Sequence, residues 1–241
     1  MLHKTKGIVL QTIKYSETSI ITKIFTRDFG LLSYMINGVR SAKAKNKAAL
    51  FQPLCMLDLV SYYRENKNLQ RLKEYKTAYI YRQLPFDTAK SSVGLFLVEM
   101  LSKCLKGEEK NITLFSFIEQ SFKFLDETKN VHPAFHLSFL LKMSKHFGFM
   151  PSGKFSETTP LFDLREGVFC QCKPGQPELL NSKESEKISC MLHLSFAELG
   201  ELKLSTKLRK SLLSNIIKFY SYHIEGLGEL NSPKILEAVF E

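Results

Sequence analysis

Arg40-Ser41-Ala42-Lys43-Ala44-Lys45-Asn46-Lys47 places four cations and no carboxylate in eight residues. Side chains of this kind neutralise phosphates and release counterions, so they hold a polyanion without reading its base sequence. The alanines beside them, Ala42, Ala44, Ala48 and Ala49, add no bulk. Lys14, Lys23, Arg27, Arg64, Arg71 and Lys73 extend the same chemistry, with Lys67 and Lys76 as further charge. Interleaved with them are Tyr15, Phe25, Phe29, Tyr34, Tyr62, Tyr63 and Tyr75. Rings can stack on bases for about 1–3 kcal/mol each. Most must fill an interior, which leaves two or three for that purpose.

Residues that could carry catalysis are sparse. No glycine-rich phosphate loop, Gly-x-Ser-x-Gly elbow or His-Glu-x-x-His pair occurs. His132 and His136 are spaced i, i+4 and could share a ligand, but no third ligand is near in sequence. Cys170-Gln171-Cys172 followed by Cys190 and His193 could supply four tetrahedral ligands, although one residue between the first two is tighter than structural zinc sites favour. Free thiols are the plainer reading. Carboxylates for metal-dependent phosphoryl transfer are few in the basic region: Glu17, Asp28, Asp58, Glu65 and Glu74, on different elements. We expect no enzyme activity and no cofactor.

The charge is unevenly spread. Residues 1–82 hold 15 Lys and Arg against 5 Asp and Glu, which accounts for the whole net charge of +10. The remainder is neutral, with 19 of each sign. A basic third joined to a neutral body points to a polyanionic partner, most often nucleic acid. No apolar run approaches the roughly 20 residues of a membrane span, and no apolar stretch of a signal peptide follows the basic Met1–Lys6 segment. Five scattered cysteines do not form a disulfide framework. A reduced, cytoplasmic setting is expected.

The basic third reads as strands over Gly7–Tyr15, Ser19–Arg27, Leu31–Ile36, Leu50–Tyr63 (bent at Pro53) and Leu69–Thr77. Five short strands suggest a five-stranded oligonucleotide-binding (OB) barrel. After Pro85 the apolar period becomes helical. Stripes run through Val93–Leu105, Ile112–Leu125 and, after Pro133, Phe135–Phe147. Gly107 and Gly148 punctuate the helices, and Asn111 or Thr113 is a cap. An irregular insert follows at about 149–180, then helices over Ser182–His193, capped by Ser182 or Ser185, and Ser205–Glu225. The fold class is α+β, with an OB barrel at 1–82 and a helical domain carrying the insert at 83–241. The last helix opens on Lys207, Arg209 and Lys210, against its own dipole, at a cost of a few tenths of a kcal/mol. A solvated turn tolerates this; an acidic ligand beside Leu208 and Leu212 would also explain it.

Gly7-Ile8-Val9-Leu10, Tyr15-Ser16-Glu17-Thr18-Ser19, Phe25-Thr26-Arg27, Gly30-Leu31 and Gly38-Val39-Arg40-Ser41 together resemble the opening of the bacterial RecO family of DNA repair and recombination mediators. Leu208-Arg209-Lys210-Ser211-Leu212-Leu213, Tyr222-His223-Ile224 and Ser232-Pro233-Lys234-Ile235-Leu236 resemble its tail. The resemblance spans the chain in order. It implies an OB barrel and a helical domain that bind single- and double-stranded DNA and anneal complementary strands. With RecR, such a protein helps load RecA onto DNA coated by the single-stranded-DNA-binding protein SSB, and it is nucleoid-associated. The acidic SSB tail docks on the helical domain in this family, which favours Lys207, Leu208, Arg209, Lys210 and Leu212 as its contacts. Many members carry two Cys-x₂-Cys pairs for zinc. Here Thr158–Asp163 stands near the first pair, and Cys172 lies one residue too close to Cys170. A degenerate zinc module held by Phe162, Leu164, Val168 and Phe169 is therefore expected.

An RNA-binding OB protein without a recombination role is the main alternative, separable by competition between DNA and RNA strands of equal length. If Arg40, Lys43, Lys45 and Lys47 meet about four phosphates of one strand, log K falls by about 0.7 × 4 per decade of salt. Replacing all four by Ala is expected to remove most of that slope; an unchanged slope contradicts the assignment.

Overall fold

The first strand begins earlier than its alternation suggests. In the computed structural model, which describes residues 1–39, 45–65, 67–107, 109–171 and 178–239, β1 runs Leu2–Lys14. Its length lets it serve two neighbours. The second half pairs antiparallel with β2 (Ile20–Thr26) and the first half with β4 (Met56–Tyr62). β2 turns into β3 (Gly30–Ile36), and β4 into β5 (Leu69–Tyr79), again antiparallel. A short parallel pairing of β3 with β5 closes the ring in the order β1-β2-β3-β5-β4. This is the expected five-stranded barrel.

Alternation fills it. Ile20, Thr22, Ile24 and Thr26 of β2 face inward and are buried, while Lys23 is exposed. Val9, Ile24, Leu32, Tyr34, Phe51, Leu57 and Leu59 form the centre of the core. Gly7 is required by close approach: a Cβ there would stand 2.5 Å from Ile24 Cγ2 and 2.8 Å from Leu59 Cδ1.

The fourth expected strand is shorter than Leu50–Tyr63. Lys45–Ala49 forms a one-turn helix, α1, turns occupy Leu50–Leu54, and β4 starts at Met56. Two local facts break the strand. Pro53 has no N–H to give a ladder, and Leu54 holds φ 78°, in the left-handed region. The segment still serves the sheet: Leu54 N–H donates to Val9 O and Val9 N–H to Cys55 O, both at 2.9 Å, beside the register shift in β1.

Helices follow β5. Asp87 caps α2 (Thr88–Cys104), accepting from Lys90 N at 2.9 Å. Asn111 caps α3 (Ile112–Glu127), accepting from Leu114 N at 2.9 Å. α3 covers part of the barrel wall, with Phe115 on Phe25 at 5.8 Å between ring centroids and Lys6 on Glu119 at 3.3 Å. The segment joining β5 to α2 is fastened by one carboxylate. Asp126, fully buried, accepts from the backbone N–H groups of Arg82, Gln83 and Leu84 at 2.7–3.1 Å and from the Tyr79 hydroxyl at 3.1 Å. Lys90 is buried too and donates to Asp126 O at 3.0 Å and Gln83 Oε1 at 2.7 Å. The compact units of the chain are Met1–Glu127, which includes α2 and α3, and Thr128–Glu241.

In the second unit α4 is Phe135–Met143, followed by a 3₁₀ turn at Ser144–Phe147 that ends on the left-handed Gly148. Pro133 lies in the turn before α4 rather than at its first position, and His132 Nδ1 accepts from Ala134 N at 3.2 Å. The insert is more regular than expected. β6 (Leu161–Asp163) pairs with β7 (Val168–Cys170) and β8 (Leu179–Leu180) in a small antiparallel sheet. Phe162, Leu164 and Phe169 are buried and Val168 is half-buried. Ser185 Oγ of α5 (Ser182–His193) accepts from Phe162 N at 2.9 Å, so that serine fixes the sheet instead of capping its helix. The cap is Asn181, paired both ways with Glu184. Glu184 also accepts from Ser211 of α6 (Thr206–His223), the helix capped by Ser205. Tyr220 of α6 donates to Leu140 O of α4 at 2.7 Å. α7 is Pro233–Val239.

Burial alone would raise the Asp126 carboxyl, but the N–H groups of Arg82, Leu84 and Gln83 and the Tyr79 hydroxyl outweigh it and hold the group below its ordinary value. A depressed carboxyl stabilises the fold above its unfolded pKa, and that stability is lost as pH falls below about 4. Asp126→Ala is expected to cost about 3 kcal/mol at neutral pH by stranding three backbone donors. Denaturant titration measures it, and the gap from wild type should shrink as pH falls below about 4.

Candidate nucleic-acid interface

Strand register places one row of outward side chains around the barrel. Ile13 lies opposite Ile21, Ile21 opposite Met35, Met35 opposite Arg71, Arg71 opposite Tyr62 and Tyr62 opposite Leu2. The apolar members stay in contact with water: Leu2, Ile13 and Tyr62 are each about half exposed, at 48%, 51% and 47%. A belt of this kind, with one guanidinium in it and Lys23 exposed one row away, is a surface for flat apolar groups that carry negative charge.

Beside the belt lies a groove of about 600 Å³ lined by Met35, Tyr62, Arg64, Lys67, Leu69, Gln70 and Arg71. Among the described residues, three cations and no carboxylate line it. The barrel wall has a second groove, of about 650 Å³, whose lining includes Lys4, Lys6, Arg27 and Lys76 together with Asp28, Asp58 and Glu74. There the charges are answered locally. Asp58 pairs with Lys76 at 3.7 Å, Asp28 accepts from Thr5 at 2.8 Å and Lys6 pairs with Glu119 at 3.3 Å. A phosphate backbone gains most where cations are not already neutralised, so the first groove is the better candidate.

The expected cations divide between these places. Arg64 and Arg71 come together in the first groove, with Lys67. Arg27 falls in the mixed groove. Lys14, Lys23 and Lys47 are exposed, and Lys73 lies 3.6 Å from Glu74. Lys45 opens α1; Arg40 and Lys43 lie outside the described residues. The rings divide as well. Phe25 and Tyr34 are fully buried, Tyr75 packs on Phe51 at 4.8 Å, and Phe29 stacks on Tyr63 at 4.4 Å with His3 against both. Tyr15 and Tyr62 remain exposed, and Tyr62 is the one in the groove. Met35 and Gln70 escape a search for charges and rings; only the pairing of β3 with β5 brings them to the site.

The fold gathers three carboxylates at the mixed groove, yet no group of three His, Cys, Asp or Glu able to hold a metal occurs among the described residues. Burial pushes the Cys55 thiol up and the Cys104 thiol to about 12, away from the reactive thiolate. His136 is not a surface partner for His132. Burial, then the Arg209 charge, lowers its imidazole to about 3. Cys190 and His193 share a groove with Lys187, Leu194, Glu201, Leu202 and Lys203, Cys170 ends β7, and Cys172 lies outside the described residues. At the start of α6, Lys207 is exposed, Leu208 and Lys210 are half-buried, and Arg209 and Leu212 are buried, Leu212 completely. A docking peptide can therefore meet Lys207, Leu208 and Lys210, while Leu212 belongs to the core. No helix among the described residues is long and apolar enough to cross a membrane.

A closed five-stranded barrel with a cation-lined groove, followed by a helical region, defines an OB-type protein. The chain belongs to the RecO family. The family model Recombination protein O N terminal matches residues 1–81, and Recombination protein O C terminal matches residues 85–232. It is 34% identical over 240 residues to the DNA repair protein RecO of Phocaeicola vulgatus and 34% over 241 residues to that of Christiangramia forsetii, covering 100% of each chain. With the protein of that name from Flavobacterium psychrophilum it shares 34% identity over 238 residues, 98% of each. A role in DNA repair and recombination follows from that membership.

Tyr62→Ala is expected to weaken binding of a short oligo-dT strand by about 1–3 kcal/mol, with Tyr62→Phe close to wild type. Fluorescence anisotropy checks this. Equal binding by the Ala variant contradicts stacking at this ring.

Proposed function

We propose that the chain is a recombination mediator without catalytic turnover. It binds single- and double-stranded DNA through its barrel, anneals complementary strands and, with RecR, helps load RecA onto SSB-coated DNA in the bacterial cytoplasm, at the nucleoid. The observation that carries this reading is the groove where Arg64, Lys67 and Arg71 meet Tyr62 with no carboxylate among the described lining residues. Three cations serve the phosphates of either a duplex or a single strand. The ring serves only unstacked bases, so the same surface can hold a strand with its bases presented for pairing.

The second unit supplies the place for a protein partner. Lys207, Leu208 and Lys210 combine charge with an apolar contact at the start of α6, and Lys203, four residues before Lys207, lines a neighbouring groove with Leu194 and Leu202. An acidic tail ending in an apolar residue, such as that of SSB, suits both charge and shape.

The test combines binding and annealing. Arg64→Ala/Lys67→Ala/Arg71→Ala is expected to lower the salt slope for single-stranded DNA by about 2, at roughly 0.7 per lost phosphate contact. It should also slow annealing of complementary strands coated with SSB. Wild-type annealing should fall when the SSB acidic tail is removed. Unchanged slope and annealing in the triple variant contradict the proposal.

A further inference from the structure

Gln70 lies in the parallel pairing that closes the barrel, opposite Tyr34, and is 1% exposed. A buried amide is costly unless its polar atoms are bonded. Here each bond goes to the backbone of the β4–β5 loop. Arg64 N–H donates to Gln70 Oε1 at 3.0 Å. Gln70 Nε2 donates to Arg64 O at 2.7 Å and to Lys67 O at 2.6 Å. Lys67 N–H also donates to Arg64 O, at 3.2 Å.

The first two bonds repeat a step of an antiparallel ladder. Main-chain pairing of β4 with β5 ends at Tyr62 and Arg71, and the Gln70 amide then takes the place of a strand for Arg64. The third bond holds the far side of the loop at Lys67. One interior side chain thus fixes the backbone of both loop cations that line the groove. Barrel closure alone does not ask for this chemistry, since other inward positions are filled by Leu32 and Leu59.

We propose that Gln70 is the positioning residue of the nucleic-acid groove: it orders Arg64 and Lys67 before the phosphates arrive, so that binding does not have to pay for ordering the loop. The proposal rests on the DNA-binding reading above.

A double-mutant cycle on the full chain tests it, read as affinity for fluorescent oligo-dT at low salt with melting curves alongside. Gln70→Met keeps the side-chain length and removes all three bonds. Gln70→Glu keeps the acceptor for Arg64 N–H and removes both donations. Each is expected to weaken binding about tenfold in the wild-type background. In the Arg64→Ala/Lys67→Ala background each should change it by less than about twofold, because the cations it positions are gone. If one Gln70 variant does not melt cooperatively, the other decides. Equal losses in both backgrounds show a general structural role and overturn the proposal. Wild-type affinity in both Gln70 variants overturns it as well, and leaves the DNA-binding reading standing if Arg64→Ala/Lys67→Ala still binds weakly. Wild-type affinity in Arg64→Ala/Lys67→Ala contradicts the DNA-binding reading itself.

Discussion

Three residue pairs close the barrel. Ser33–Leu69, Tyr34–Gln70 and Met35–Arg71 form the only parallel pairing between described strands, and strands far apart in sequence meet there. Parallel pairings of this length are weak in themselves. This one is supported from both sides, by Tyr34 in the core and by the Gln70 amide in the neighbouring loop. Because Met35 and Arg71 are paired, the apolar belt is continuous from β2 to β4, and Arg71 stands beside Tyr62. The groove is a direct product of closure, since its residues come from β3, β4, β5 and their loop.

Closure also sorts charge. The basic third has ten more cations than anions, but its carboxylates are not evenly placed. Asp28, Asp58 and Glu74 stand together on the wall of the second groove, where Lys110, Lys76 and Lys73 respectively pair with them. The first groove keeps Arg64, Lys67 and Arg71 with no carboxylate among the described lining residues, a grouping that net charge alone does not locate. Asp126 serves a different end. It spends its carboxylate on backbone N–H groups, fixing the segment where strands give way to helices.

Much of the architecture is legible in local pattern. Alternation in Ile20–Thr26 marks inside and outside of β2 because one face is buried throughout. The stripe Val93–Leu105 marks α2 because its period is helical over more than three turns. Leu50–Cys55 misleads because an apolar run around Pro53 has the composition of a bent strand, while Leu54 takes a left-handed turn whose N–H is bonded across to Val9 O. Phe25 reads as an outward ring on β2 and is in fact covered by Phe115. The candidate site is legible in kind, as cations with aromatic rings, but its location is not. Arg64 and Arg71 belong together only through the hairpin, Met35 joins them only through closure, and Gln70 is an unremarkable polar residue in a strand pattern. Leu212 shows the same limit in the helical region: apolar spacing beside Lys207 suits both a docking contact and a core residue, and burial decides for the core.

DNA that follows the groove between β3, β5 and β4 will perturb the backbone amides there, which NMR of the labelled protein reads on titration with oligo-dT. The largest shifts are expected at Met35, Tyr62, Arg64, Lys67 and Arg71, with little change at Lys6, Asp58 and Lys76. Shifts confined to the second groove, or to residues outside the barrel, would contradict that path.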